Sequence, residues 1–375
     1  MSFTEETNSM FLLAHHLRQF SETASASFSS SPCKTFTNVP SSDTCRDDSS
    51  AFHLKLTAIV AILISGVVGI SIPLAGRKRR LLRTDDAGFV LAKAVAAGVI
   101  LATGFVHMLH DAQSALTNAC LPSIPWRRFP FAGFVAMLAA LATLVADFAF
   151  TQFYEKKHQE ETSGVKAEAA ALAVERSTSL IISIAPEPEE GEVINEEREP
   201  LLQVHSHGGE GQVSSYVRHV VVSQILELGI VSHSVIIGLS LGVSQSSCTI
   251  KPLIAALSFH QFFEGFALGG CISQAQFTNL KSYFMASLFA VTTPAGIGIG
   301  IGISSFYNAL SPRALIIEGL LDSVSSGILI YMALVDLIAA DFLGGKIGSS
   351  FRLQVAAYVA LFVGALSMSS LAIWA

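Results

Sequence analysis

The chain has 375 residues, of which 51% are apolar and only 14% charged, with a formal net charge of −6. Soluble domains carry roughly 25% charged residues, so a water-soluble globule is excluded. The negative balance sits largely in one loop and points to no charged macromolecular partner, nucleic acid included.

Residues 1–50 make a serine-rich polar tail expected to be disordered and exoplasmic. Its short apolar patch at 10–14 follows acids rather than a basic stretch, which is not the pattern of a signal peptide. The first span is expected to serve as its own signal. Apolar runs of about 20 residues are what a hydrocarbon layer of about 30 Å asks of a helix. Such runs occur at 56–75, 88–110, 131–150, 220–243, 252–271, 283–306, 314–340 and 353–375. Their length and continuity, without the ten-residue alternation of a barrel, select helices. The expected fold class is therefore all-α, a polytopic membrane protein with eight transmembrane helices. Its organisation is the tail at 1–50, helices 1–3 within 51–150, a largely disordered cytoplasmic variable loop at 151–219, and helices 4–8 within 220–375.

Lysine and arginine favour cytoplasmic loops. Arg77, Lys78, Arg79, Arg80 and Arg83 crowd the first connection, which places it inside and both termini outside. Lys156, Lys157, Arg218, Lys281, Lys346 and Arg352 then also fall inside, against Arg127, Arg128, Lys251 and Arg313 outside. In this frame Cys33, Cys45, Cys120 and Cys248 share the exoplasmic side, with room for one or two disulfides of open pairing. No C-x-x-C pair is present, which argues against a zinc ribbon or thioredoxin-like site. The long loop holds the acidic stretch APEPEEGEVINEEREP and then His205 and His207. That histidine pair reads equally well as a transient metal holder and as ordinary loop polarity.

A charge at the bilayer centre costs at least about 2.5–3.5 kcal/mol, so ionisable residues inside the spans are candidates for function. His260 and Glu264, four apart, share one face of helix 5. His233 and Ser234 give helix 4 an imidazole and a hydroxyl. His233 opens HSVIIGLSLG and His260 opens HQFFEGFALG, strings that agree at His, the sixth-position Gly and the closing Leu-Gly. Equivalent helices of an internal repeat would show such an echo. Two imidazoles and a carboxylate suit zinc, iron(II) or manganese, while Ser234 and Gln261 lean toward a neighbouring, weaker site. Gly238 and Gly265, just over a turn past each histidine, are expected to let helices 4 and 5 approach.

Other polar groups admit two readings. Lys93, His107 and Asp111 lie near one stripe of helix 2, and Asp111, near the exoplasmic end, could gather cations. Asp147 sits near the cytoplasmic end of helix 3, Glu227 shares a face with Ser234, and Glu318 and Asp322 share a face of helix 7. Salt bridging, for example to Lys93, explains this group as well as a supporting role in metal movement does. Helix 6, with TTPAGIGIGIGI, is expected to kink or make close sliding contacts around Pro294.

With AKAVAAGVILATGFVHML in helix 2, RHVVVSQILELGIVSHS into helix 4, HQFFEGFALGG in helix 5 and ALVDLIAADF after helix 7, the chain resembles the ZIP (Zrt-, Irt-like) metal transporters. The likeness is strongest to the plant iron-regulated-transporter branch. It implies a ZIP-type bundle of eight helices, exoplasmic termini and a homodimer. It also implies uptake of zinc, with iron(II), manganese or cadmium as further cargo, into the cytosol by alternating access. The plasma membrane is the expected location, with an internal membrane as the alternative. Metal is then a transported substrate, and no cofactor is expected. Carried over residue by residue, His233, His260 and Glu264 match the primary site, and Ser234, Gln261 and Glu264 a secondary one. Asp111 and Asp147 fall where this branch has acids linked to metal choice, and His107 stands beside the first of them. Ile237 and Thr293 occupy positions where relatives carry acids, which implies a leaner site. A rival reading is an intramembrane zinc-dependent hydrolase around the same three ligands. The lack of H-E-x-x-H and of a separate general base weighs against it, so the chain is not expected to be an enzyme.

Overall fold

The computed structural model describes residues 48–76, 87–183, 209–275, 277–304, 311–343 and 351–373. Its helices are α1 (Asp48–Gly76), α2 (Ala87–Leu116), α3 (Phe131–Ser183), α4 (Gly209–Val243), α5 (Ser247–Gln274), α6 (Asn279–Ile303), α7 (Pro312–Phe342) and α8 (Phe351–Leu371), with no strand among the described residues. Among those residues, 7 helices are long and apolar enough to cross a membrane. The one outside that set is α5, which has the length at 28 residues but carries His260, Gln261 and Glu264 through its middle. The chain is an all-α, multi-pass membrane protein.

The exterior confirms the solvent. Val60 and Ile64 of α1, Val145 and Phe148 of α3, Phe284 of α6 and Phe362 of α8 all point outward. An apolar surface on this scale needs a nonpolar surrounding. By contrast α2, α4 and α7 run more deeply through the interior.

The long connection differs from its expectation. The apolar part of α3 is Phe131–Lys157, yet the helix continues to Ser183 through a stretch rich in Ala and Glu, both strong helix formers. On the far side α4 already begins at Gly209. Both ends of the 151–219 segment are thus helical rather than irregular. The acidic stretch, His205 and His207, the residues before 48, and the basic cluster at 77–83 lie outside the described residues.

Packing sorts the helices into two groups. In the first, α1 packs on α5 and α6, and α4 packs on α6 and α5; in the second, α2 packs on α8 and α7, and α3 on α7. Within groups, backbones touch. Gly238 and Gly242 of α4 lie directly against Gly296 and Gly300 of α6. A methyl on Gly98 of α2 would run into the carbonyl of Leu361 on α8. Between groups the neighbours are side chains: Gly229 of α4 meets the branched tip of Ile328 in α7, and Gly270 of α5 faces the ring of Phe89 in α2.

This corrects one expectation. Gly238 and Gly265 do not draw α4 and α5 together: Gly238 faces α6, and Gly265 faces α1 and Phe289 of α6. The reason is helical phase. Five residues turn a helix by about 140° past one full turn, so each glycine looks away from its histidine. The glycines clamp the ligand-bearing helices to their outer neighbours.

Helix phase also breaks the expected stripe on α2. Residues Thr103–Met108 form a π-helical stretch, in which the Leu109 N–H bonds the Gly104 carbonyl and the Ser326 hydroxyl of α7 donates to that same oxygen at 3.0 Å. An inserted wide turn rotates everything after it. Lys93, about five turns from Asp111 along the helix, pairs with Asp341 at 2.9 Å, not with the acids first considered for it. His107 places Nε2 3.2 Å from the Met368 carbonyl of α8, while Asp111 turns into a cavity beside α4 and α7. Cys120 and Cys248 are each disulfide-bonded, and Cys271 is free and buried.

The packing makes a stability test direct. Overpacking costs typically about 1–3 kcal/mol, so Gly98→Val should lower the unfolding midpoint of detergent-purified protein by several degrees. Gly298→Ala, with nothing within 4 Å, should leave the midpoint unchanged in the same thermal scan.

Candidate metal centre

The centre lies at mid-depth. With about 1.5 Å of rise per residue, His233 sits roughly 15 Å from the last residue of α4, half of a hydrocarbon core of about 30 Å. Here the faces of α4 and α5 meet. Ligand atoms of His233, His260 and Glu264 all lie within 4.8 Å of one another, and the two imidazole centroids are 5.8 Å apart.

These side chains are sealed and unmatched. Their exposures are 1%, 4% and 0%. Both ring nitrogens of His233, Nδ1 of His260 and both carboxylate oxygens of Glu264 lack a hydrogen-bond partner among the described residues. Buried polar groups are normally paired, and each one left unmade costs about 1–3 kcal/mol. A shared cation would supply a partner to one nitrogen of each imidazole and to the carboxylate at once. Two imidazoles and a carboxylate form a borderline donor set suited to zinc, iron(II) or manganese. In a tetrahedral zinc site with bonds near 2.1 Å, ligand atoms lie about 3.4 Å apart, so modest side-chain rotations close this one.

The adjacent positions behave differently. Gln261 is 1% exposed, and its Oε1 accepts from the Thr293 hydroxyl of α6 at 3.3 Å while Nε2 has no partner among the described residues. Thr293 thus positions the amide. Ser234 is buried beside His233.

The remaining candidates fall into separate places. Asp147 accepts from the Tyr331 hydroxyl at 3.0 Å, with its other oxygen unpartnered among the described residues. Glu227 is half-buried about two turns along α4 from Ser234, and its Oε1 is likewise unpartnered. Asp111, Glu318 and Asp322 line a cavity of about 310 Å³ that ends on His233. Two pairings escaped the sequence reading: Arg218 with Asp336 at 3.6 Å, and Lys93 with Asp341. Their signal was the acids of ALVDLIAADF, which sequence spacing alone could not aim at partners on other helices.

The family model described as ZIP Zinc transporter matches residues 52–372, a range that takes in all of α2 to α8 and nearly all of α1. The chain belongs to the ZIP family. This ZIP chain is 62% identical over 349 residues to zinc transporter 7 of Oryza sativa subsp. japonica, covering 88% of this chain and 91% of that protein. It is 51% identical over 418 residues to Fe(2+) transport protein 3, chloroplastic, of Arabidopsis thaliana, covering 100% and 96%. It is 50% identical over 347 residues to zinc transporter 9 of Arabidopsis thaliana, covering 84% and 100%. The ZIP family and these relatives are transporters rather than enzymes, which removes the hydrolase reading.

Ligand binding to the folded state alone stabilises it by about 2.7 kcal/mol at a hundredfold excess over Kd. Zinc should therefore raise the unfolding midpoint of the purified ZIP protein, and His260→Ala or Glu264→Ala should abolish that rise. A full zinc-dependent shift in Glu264→Ala would place the binding groups elsewhere.

Proposed function

We propose that this ZIP protein carries zinc into the cytosol by alternating access, with iron(II), manganese and cadmium as further cargo. The observation that supports this most is the sealed trio of His233, His260 and Glu264, whose ligand atoms converge at mid-depth without protein partners. Ser234 and Gln261 stand beside it as secondary ligands.

The packing suits a moving carrier. The ligand-bearing helices α4 and α5 are clamped to α1 and α6, and this group travels as a unit against α2, α3, α7 and α8. The cavity that ends on His233 approaches the sealed trio from one side of the membrane. Toward the opposite end, the Arg218–Asp336 pair and the Tyr154 hydroxyl donating to Gln224 at 3.4 Å bridge the two groups. Inward opening breaks these bridges. Release follows as the ligands protonate, because metal affinity falls with protonation, and His205 and His207 are the receiving groups in the loop.

Cys120 follows α2 and Cys248 begins α5, at the same end of the bundle. Disulfides persist in oxidising compartments, so that end is exoplasmic and the basic connection after α1 is cytoplasmic. With α5 counted as a span, eight transmembrane helices put both termini outside. The protein works as a homodimer in the plasma membrane, as the branch does; the chloroplastic label of one relative makes an internal membrane the alternative.

Cells expressing His260→Ala or Glu264→Ala should take up zinc at least about tenfold more slowly than wild type, in line with the cost of disturbing a metal shell. Undiminished uptake by variants that reach the surface would remove the assignment. Tags at the N-terminus and within 186–200 should be reachable only from outside and only after permeabilisation, respectively; the reverse pattern would invert the direction of transport.

A further inference from the structure

The connection between α2 and α3, residues 117–130, lies where the hydrocarbon layer ends. The span on α2 closes at Leu116 and the span on α3 opens at Phe131, so the residues between them stand at headgroup level. This connection is held in shape. Asn118 accepts from the Cys120 N–H at 3.0 Å through its side chain and from the Leu121 N–H at 3.0 Å through its carbonyl, and Cys120 is disulfide-bonded. Trp126, 7% exposed, is packed into the apolar cluster formed by the ends of α2, α3 and α7. A chain of rings runs on from it. Trp126 meets Phe131 with centroids 5.0 Å apart, Phe131 meets Phe129 at 4.8 Å, and Phe129 meets Phe134 at 5.2 Å.

Two arginines stand on this platform. Arg127 and Arg128 follow Trp126 directly, are both exposed, and pair with no carboxylate among the described residues. The Trp126 indole N–H has no acceptor there either. Three consecutive residues thus present donors that the described part of the chain leaves unmatched. Their apolar neighbours Ile124 and Phe129 are 56% and 42% exposed, a surface suited to lipid rather than to water. Aromatic rings and arginine stems settle at the membrane boundary with their apolar parts in the acyl layer and their polar tips among the headgroups. The sign of the charge adds a second argument. Lysine and arginine favour the cytoplasmic side, yet the orientation proposed above puts this unpaired couple at the exoplasmic end. An anion in the headgroup layer answers both the unmatched donors and the misplaced charge. The guanidinium fork fits phosphate oxygens two at a time, and a loop already fixed loses little freedom on binding.

We propose that Arg127 and Arg128 form a binding surface for the headgroup of an anionic phospholipid, with its phosphate on the guanidinium groups and its acyl chains beside Ile124, Phe129 and Phe134. The surface goes beyond the transport reading. It needs the α2–α3 end of the bundle to sit in a headgroup layer, whichever leaflet that is, and it needs no metal. Through Trp126 it belongs to the packing group of α2, α3, α7 and α8, so a bound lipid fixes that group at the membrane surface.

Lipid retention by the purified full-length protein tests it. Incubated with phosphatidylglycerol and counted by native mass spectrometry, wild type should carry at least about fivefold more lipid than Arg127→Gln with Arg128→Gln, in line with about 1 kcal/mol for each cation at a charged membrane surface. Wild type should also take phosphatidylglycerol in preference to phosphatidylcholine. The double Arg→Lys variant, which keeps the charge and loses the fork, should recover part of the binding. Added phosphatidylglycerol should raise the unfolding midpoint of wild type and leave that of the double Gln variant unchanged, while a persisting zinc-dependent rise shows that the variant is folded. Arg128→Gln alone, read the same way, covers the case in which the double variant does not purify. Equal lipid counts in wild type and variants, or equal binding of the two lipids, would overturn the surface. A midpoint raised by inorganic phosphate alone would make it a free-anion site and overturn the lipid assignment. Each of these readouts is independent of whether the protein carries zinc.

Discussion

Burying a polar atom without a partner is among the costliest things a membrane protein can do, because hydrocarbon offers no water to replace the lost bond. Among the described residues this ZIP chain does so most densely where two imidazoles and a carboxylate converge. Nearly everything else follows from that concentration. The polar load that takes α5 out of the set of readily membrane-spanning helices is the same load that converges with His233 of α4. Helices whose outer faces are apolar, such as α1, α3, α6 and α8, surround and insulate it.

The backbone contacts explain how so polar a centre is held steady. Glycines at the α4–α6 and α1–α5 seams let main chains touch, so the ligand-bearing helices are fixed by their outer partners and leave their inner faces free. The two packing groups meet through side chains and a few polar bridges instead. Dispersion between touching backbones is short-ranged and exacting about fit, whereas flexible side chains tolerate displacement. Close backbone fit and looser side-chain contact thereby fall on different seams of one bundle.

Polar groups are also ordered along the membrane normal. Carboxylates line the cavity above His233, imidazoles stand at mid-depth, and charge pairs such as Lys93–Asp341 lie toward the other end. Lys93 and Asp341 already satisfy one another there, which suits closure rather than binding.

Much of this was legible without coordinates. Runs of apolar residues of bilayer length locate the helices, because the solvent imposes that length on any spanning segment. His260 and Glu264 share a face by helical period alone, and the repeated His-Gly-Leu-Gly pattern nominates His233 as their companion. Other features could not be read along the chain. Which way Gly238 faces, which cavity Asp111 enters beyond the π-helical turn at Thr103–Met108, and that Lys93 answers Asp341 all depend on neighbours far away in sequence. Local periodicity determines what a helix offers on each face; only the packing of the whole bundle decides which partner that face meets, since the energies that choose among partners act across space rather than along the backbone.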